Sequence, residues 1–266
     1  MPDHGALSLN GADLAIAAGL VLCAGLVSAA LRLHLEAKLA IASIRTVLQL
    51  LLVGAVLGWV FRLERAEIVL GVLLIMIALA GRAAVARSSR TFPGVTLRAF
   101  LTLLLTGLLT TFSVTAAIIG VEPWYRPQYV IPLAGMVLGN SLTGVSLSLD
   151  SLLETLATQR GRVETELALG ASRWEAAREP LAAAVRRGLI PIINSMMVVG
   201  LVSLPGMMTG QILEGADPVE AVKYQIVVMF MIAAATSLGC MVMGLMVYRR
   251  LFNDRHQLRS DLIQDR

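Results

Sequence analysis

Long apolar stretches constrain this chain before anything else does. Seven of them, at about 12 to 31, 40 to 61, 66 to 86, 98 to 119, 129 to 149, 189 to 209 and 222 to 247, approach or exceed the ~18 to 20 residues a helix needs to cross the hydrocarbon of a bilayer. Lipid offers no partner to an unpaired N–H or C=O, so a crossing segment must close its hydrogen bonds within a helix or a barrel. Barrel strands would alternate in polarity, whereas these stretches stay apolar throughout. Composition agrees, with 57% apolar and 15% charged residues. The expected fold is all-α: a polytopic membrane protein with residues 1–266 in a single transmembrane domain. It is a seven-helix bundle surrounded by membrane lipid, with a charged helical segment at 150–188 between spans five and six.

Basic residues predict the orientation, because segments rich in Lys and Arg stay in the cytoplasm. With the amino terminus outside, seventeen of the twenty-two fall inside: Arg32, Lys38, Arg82, Arg87, Arg90 and Arg98, six arginines from Arg160 to Arg187, and five from Arg249 to Arg266. Arg62, Arg65, Arg126 and Lys223 fall outside, and Arg45 lies in the second span. The carboxyl-terminal end is then cytoplasmic, as an odd number of spans requires, and the location is a cell (inner) membrane. Nothing basic precedes the first span, which argues against a cleaved secretory signal. The net charge of +4 reflects these flanks and not a nucleic-acid partner.

Several chemistries lack their residues. A phosphate-binding loop needs a Gly-Lys-Ser/Thr step, but Lys38 precedes Leu39 and Lys223 precedes Tyr224, so this chain is not an ATPase. A retinal-type pocket would need a lysine in mid-span with a carboxylate counter-ion, and neither is present. A nucleophile in Gly139-Asn140-Ser141 would need a base, but His4, His34 and His256 all fall outside the spans. Zinc and paired-aspartate proteases fail for want of ligands in the membrane. Cys23 and Cys240 stand singly in apolar surroundings and read as small core residues. Neither catalytic residues nor a cofactor of its own are expected, and the metal ligands are left unknown.

Polar and flexible residues inside the spans mark a candidate translocation path. Arg45 and Gln49 lie four residues apart on one face of the second span, either snorkelling to the cytoplasmic surface or walling a polar cavity. In the fifth span Pro132, Gly135, Gly139 and Gly144 loosen the helix around Asn140 and Ser141, which suits a transport site or close packing through Gly135 and Gly139. The sixth combines Asn194, Ser195, Met196 and Met197 with Pro205, Gly206, Met207 and Met208, a soft element suited to a gate. Twelve methionines, among them Met229, Met231, Met241, Met243 and Met246, either line a thioether path for a soft cation or fill adaptable core space. Glu214, Asp217 and Glu220 form an acidic outer loop that a helix start at Asp217-Pro218 also explains.

The stretch Glu164 to Pro191 is charge-dense and helix-compatible. Leu167, Leu169 and Trp174 stand among Glu164, Glu166, Arg173, Glu175 and Arg178, a mixture suited to docking on another protein or to lying at the lipid headgroups. Its Glu164-Thr165-Glu166-Leu167-Ala168-Leu169-Gly170-Ala171-Ser172 resembles the cytoplasmic coupling motif of ABC transporter permeases: Glu164 and Gly170 match, Thr165 and Glu166 stand where alanines are usual, and the downstream proline is displaced to Pro180 or Pro191. Asn194 to Gln225, with its Pro205-to-Gln211 block, Gly135 to Leu147 and Ile44 to Leu50 resemble the FetB-type family of bacterial iron-export permeases, whose plant relatives are linked to aluminium tolerance.

That resemblance implies an ABC exporter permease for iron or another metal, two copies pairing with two copies of a separate cytoplasmic ATPase that binds ATP and Mg. Glu164, Glu166, Leu169, Gly170, Ala171, Ser172, Arg173 and Trp174 would then form the coupling helix that sits in a cleft of the ATPase. The path would run among spans two, five and six. A stand-alone secondary transporter or channel for a small solute is the rival, and a membrane scaffold without transport is a third reading. Hard iron fits poorly, because the spans offer it no Asp, Glu or His.

Overall fold

The computed structural model describes residues 10–266, so the expected outward amino terminus and His4 lie outside the described residues. Its helices are α1 (Gly11–Ala30), α2 (Glu36–Leu63), α3 (Ala66–Ala86), α4 (Val95–Phe112, extended by a π-helical stretch Ser113–Ile118), α5 (Pro127–Thr158), α6 (Arg160–Ala168), α7 (Arg173–Val198), α8 (Gly206–Leu213) and α9 (Pro218–Leu251). Seven of these, all but α6 and α8, are long and apolar enough to cross a membrane. Two-residue strands β1 (Arg90–Thr91) and β2 (Gln264–Asp265) pair antiparallel. Local chemistry sets the helix starts. Asn10 caps α1 in a reciprocal box with Asp13, and Asp217 caps α9 with Pro218 in the first turn, where its missing N–H costs nothing.

α5 is the centre of the bundle, packed by α3, α4, α7 and α9. Leu149, Leu152, Leu153 and Val145 of α5 join Leu103 of α4 and Met243 and Val247 of α9 in one buried core. The hairpin of α1 and α2 stands apart: Ser28 and Val60 are the buried residues of these two helices, and their leucines face outward as a lipid-exposed surface does.

Small residues let three helices converge. A Cβ built on Gly188 of α7 would lie 2.6 Å from the Gly144 carbonyl oxygen of α5 and 2.8 Å from Cys240 Sγ of α9. A Cβ on Gly144 would in turn meet Thr236 Cγ2 at 2.5 Å. Gly139, by contrast, faces open space, so close packing through the Gly135 and Gly139 pair is not how α5 is held: Gly135 meets Met76 of α3 and Gly139 meets nothing.

Two sequence boundaries are corrected. The fifth span, expected to end near 149, continues as α5 to Thr158, where Asp150 accepts the Ser89 N–H (2.7 Å) and the Ser89 hydroxyl (2.8 Å), so helix and α3–α4 loop stay joined. The sixth, expected as one helix over 189–209, is broken. Gly200 takes φ +82°, Pro205 has no N–H to give, and Val199–Ser203 turn back on themselves before α8 begins. The charged segment 150–188 is likewise divided among the end of α5, α6 and the first half of α7.

The end of the bundle carrying α6 is pinned by the chain that follows α9. Arg90 pairs with Glu154 (2.7 Å) and Asp265 (2.9 Å), and Arg266 donates to the Val85 carbonyl (2.6 Å). Packing makes a test. Gly188→Val should cost about 1–3 kcal/mol by overpacking and lower the thermal midpoint in detergent, whereas Gly139→Ala should be neutral or stabilising by up to about 1 kcal/mol through helix propensity.

Candidate coupling turn and transport path

The link from α6 to α7 is built from two complementary helix ends. α6 closes in a Schellman turn: Ala171 N–H donates to the Glu166 carbonyl (3.1 Å) and Gly170 N–H to that of Leu167 (3.1 Å), with Gly170 at φ +96°. Only glycine adopts that conformation cheaply, which gives the glycine of the motif a physical reason. α7 then opens on a capping box, with Ser172 Oγ accepting the Glu175 N–H (3.3 Å) and the Glu175 carboxylate accepting the Ser172 N–H (2.7 Å). The Ser172 bond holds the box in register with the dipole of the helix it starts.

Charges brace this turn from both sides. Arg160 pairs with Glu164 (2.6 Å) and Arg162 with Glu166 (3.2 Å), while Arg162 also reaches Glu179 of α7. The Glu179 hydrogen bond raises the Arg162 pKa above its ordinary value. Arg173 pairs with Asp254 (2.5 Å), and its N–H donates to His256 Nδ1 (2.8 Å). Two large apolar side chains stand exposed here: Leu169 at the tip is 84% exposed, and Trp174 is 44% exposed although its ring meets Tyr248 edge-on at 5.4 Å. A cleft of about 550 Å³ opens beside them, lined by Glu164, Leu167, His256, Leu258, Arg259 and Asp261 among others.

Asp254 and His256 were not anticipated. They lie more than eighty residues from Arg173 in sequence, and nothing in their own neighbourhood signals the contact.

The expected path residues are placed less uniformly. α5 and α7 run antiparallel through their contact at Gly144 and Gly188, so Asn140 and Asn194 lie beyond it in the same direction, both exposed, as is Ser195. Asn140 donates to the Met136 carbonyl (2.8 Å), and Ser141 is fully buried with no partner for its hydroxyl. Arg45 and Gln49 do not join them. α2 meets the bundle through Leu57 and Val60, against a cluster with Val130 and Ile131 of α5, and leaves both polar residues exposed. Met197 is exposed, and Met196 and Met207 are half-buried against a cluster that includes Met229 and Met231. Met243 is core, and with Met246 it accepts from the Thr102 hydroxyl at 3.8 and 3.6 Å. Pro205, Gly206 and Met208 form the start of α8. Among the described residues, no three His, Cys, Asp or Glu side chains gather in a metal-binding group.

Residues 11–252 match the model of an uncharacterised protein family, UPF0014. The chain is 40% identical to the UPF0014 membrane protein slr1647 of Synechocystis over 96% of its own length and 99% of that protein's. It is 34% identical to the "probable iron export permease protein FetB" of Escherichia coli, over 94% of this chain and 95% of that one. It is also 34% identical to the protein ALUMINUM SENSITIVE 3 of Arabidopsis thaliana, over 90% and 86% respectively. No solved structure matches it. Seven apolar helices and a family match along nearly the whole chain lead to one conclusion: this is a multi-pass membrane protein of the UPF0014 family.

Proposed function

We propose that the chain is the membrane-spanning permease of an ABC exporter that moves iron or another metal out of the cell, driven by a separate cytoplasmic ATPase. The observation that carries this reading is the turn between α6 and α7. It presents Leu169 and Trp174 on a braced, capped scaffold at the start of a helix that runs unbroken for about 39 Å. Force applied at that turn would be carried along α7, past Pro180 and Pro191, to Asn194 and Ser195 at its far end. The relative named as an iron export permease supports the cargo class.

On this reading the basic end is cytoplasmic, the amino terminus is outside, and hydrolysis of Mg-ATP belongs to the partner. Two copies of each chain assemble. The exposed polar face of α2 with Arg45 and Gln49 finds no counterpart among the described residues of one chain, and a second copy supplies the missing wall opposite Asn140 and Asn194. The rival reading, a stand-alone transporter or channel, needs the same polar residues to work without ATP.

Co-purification and transport separate the two. Changing Leu169 to Asp together with Trp174 to Ala should remove about 2 kcal/mol or more of docking energy, the scale of an interface hot spot, so that the ATPase no longer co-purifies and ATP-dependent transport stops. Full transport by the isolated chain in liposomes overturns the ABC reading. In proteoliposomes holding both subunits, Fe(II) should stimulate ATP hydrolysis while Gly170→Arg, which forces a bulky side chain into the left-handed turn, abolishes that stimulation. Stimulation by an organic solute and by no metal would instead refute the metal cargo.

A further inference from the structure

We infer that the end of the bundle opposite α6 holds a cargo-cation site between α8 and α9, built from the side chains of Gln211, Gln225 and Met207 and completed by the break in the sixth span. This rests on the metal-export reading and names the class of cation. Three independent features meet there.

Two carboxamide oxygens are buried without a donor. Gln225 is 6% exposed and its Oε1 accepts nothing; Gln211 Oε1 is likewise buried and unpartnered. Buried acceptors normally find partners. Met207 and Gln211, four residues apart, share a face of α8, and Gln225, Val228 and Met229 share a face of α9. Met207 packs against a cluster that includes Val228 and Met229, and α8 and α9 pack against each other. Unpartnered amide oxygens on both helices of the α8–α9 contact are complementary to a cation.

Soft side chains share the cluster that Met207 packs against. Met136 of α5, Met196 of α7, Met207 of α8, and Met229 and Met231 of α9 belong to a single cluster drawn from four helices. Met243 and Met246, by contrast, sit elsewhere with the Thr102 hydroxyl.

The backbone beside them is open. From Gly188 to Val198 the apolar half of α7 covers only about 16 Å, roughly half the hydrocarbon thickness. With Arg187 at the cytoplasmic headgroups, as the proposed orientation has it, the chain unwinds at membrane depth. There Leu201, Val202 and Ser203 all donate to the Val198 carbonyl and Gly200 donates to that of Ser203, so the carbonyls of Val199, Gly200 and Leu201 receive no backbone hydrogen bond. Irregular backbone at such depth is tolerated where it lines a path, and unwound carbonyls between half-helices are a recurring cation-binding arrangement in transporters.

Every ligand in this set is neutral. Thioethers and amide oxygens suit a reduced, borderline-soft cation such as Fe(II), and they leave the charge of Fe(III) or Al(III) uncompensated. Weak neutral coordination also suits a place from which cargo must leave.

Direct binding to the purified chain tests the site without the ATPase. Anaerobic Fe(II) should bind, and Al(III) should not. Changing Met207 and Gln225 together to Leu, both near in volume, should weaken Fe(II) binding on the order of tenfold or more. Gln225→Glu, which keeps the oxygen and adds charge, should tighten it. Monodisperse elution and retained ATPase co-purification show that each variant is folded. If the double variant binds Fe(II) as the parent does, or Al(III) binds equally well, the site is wrong. If the parent binds no Fe(II) while the ATPase still co-purifies, the site falls and the ABC reading survives. If Fe(II) binding follows the substitutions but no ATPase associates, the site stands and the ABC reading fails.

Discussion

Close approach of α5, α7 and α9 at Gly144, Gly188 and Cys240 is the constraint on which the rest of the bundle depends. Lipid gives no hydrophobic drive between helices, so their association relies on packing, and packing is best where backbones come close. Gly188 in contact with Gly144 fixes α7 lengthwise against α5. Once that register is set, both ends of α7 are placed: Ser172 and Trp174 at the basic end, Asn194 and the unwound Val199–Pro205 at the other. Gly239, against Val145, and Gly244, against Leu181, extend the same close fit along α9.

Pro180 and Pro191 lie inside α7 without ending it. Each removes one backbone hydrogen bond, which elsewhere would break a helix. Here α7 is held by its neighbours, with Pro180 itself buried and Gly188 locked between α5 and α9. A helix weakened at two points and clamped between them can bend on either side of the clamp. On the proposed function, motion of the capped turn at one end would therefore change the angle of the segment carrying Asn194 at the other.

Much of this was legible in the sequence, for identifiable reasons. The seven crossings could be read because a bilayer demands long apolar runs, and the cap at Asp217 because capping is local. The fifth and sixth boundaries could not. Hydropathy sees composition and not continuity, so it merged the end of α7, the Val199–Pro205 turn and α8 into one span and stopped α5 where the charges begin. Gly170 was visible as a motif letter, but its left-handed geometry emerges only with the Schellman hydrogen bonds around it. The contacts of Arg173 with Asp254 and His256, and of Arg90 with Asp265, join distant stretches through exposed polar groups that leave no periodic trace. Arg45 and Gln49 show the converse: a pattern on one helical face that meets no counterpart among the described residues.

Charge is distributed so that the two ends of α7 obey different rules. At the basic end ion pairs brace the turn in contact with water, where each is worth little alone and several together fix a geometry. At the far end Lys223 pairs with Glu220 at the start of α9, while neutral amides and thioethers stand around the end of α7. A site made of carboxylates at membrane depth would hold a metal too tightly to release it and would cost much to keep charged when empty. Neutral ligands avoid both problems but cannot concentrate cargo against a gradient. A permease of this composition would therefore need its energy delivered from elsewhere, and the braced turn at the opposite end of the same helix is where a partner could deliver it.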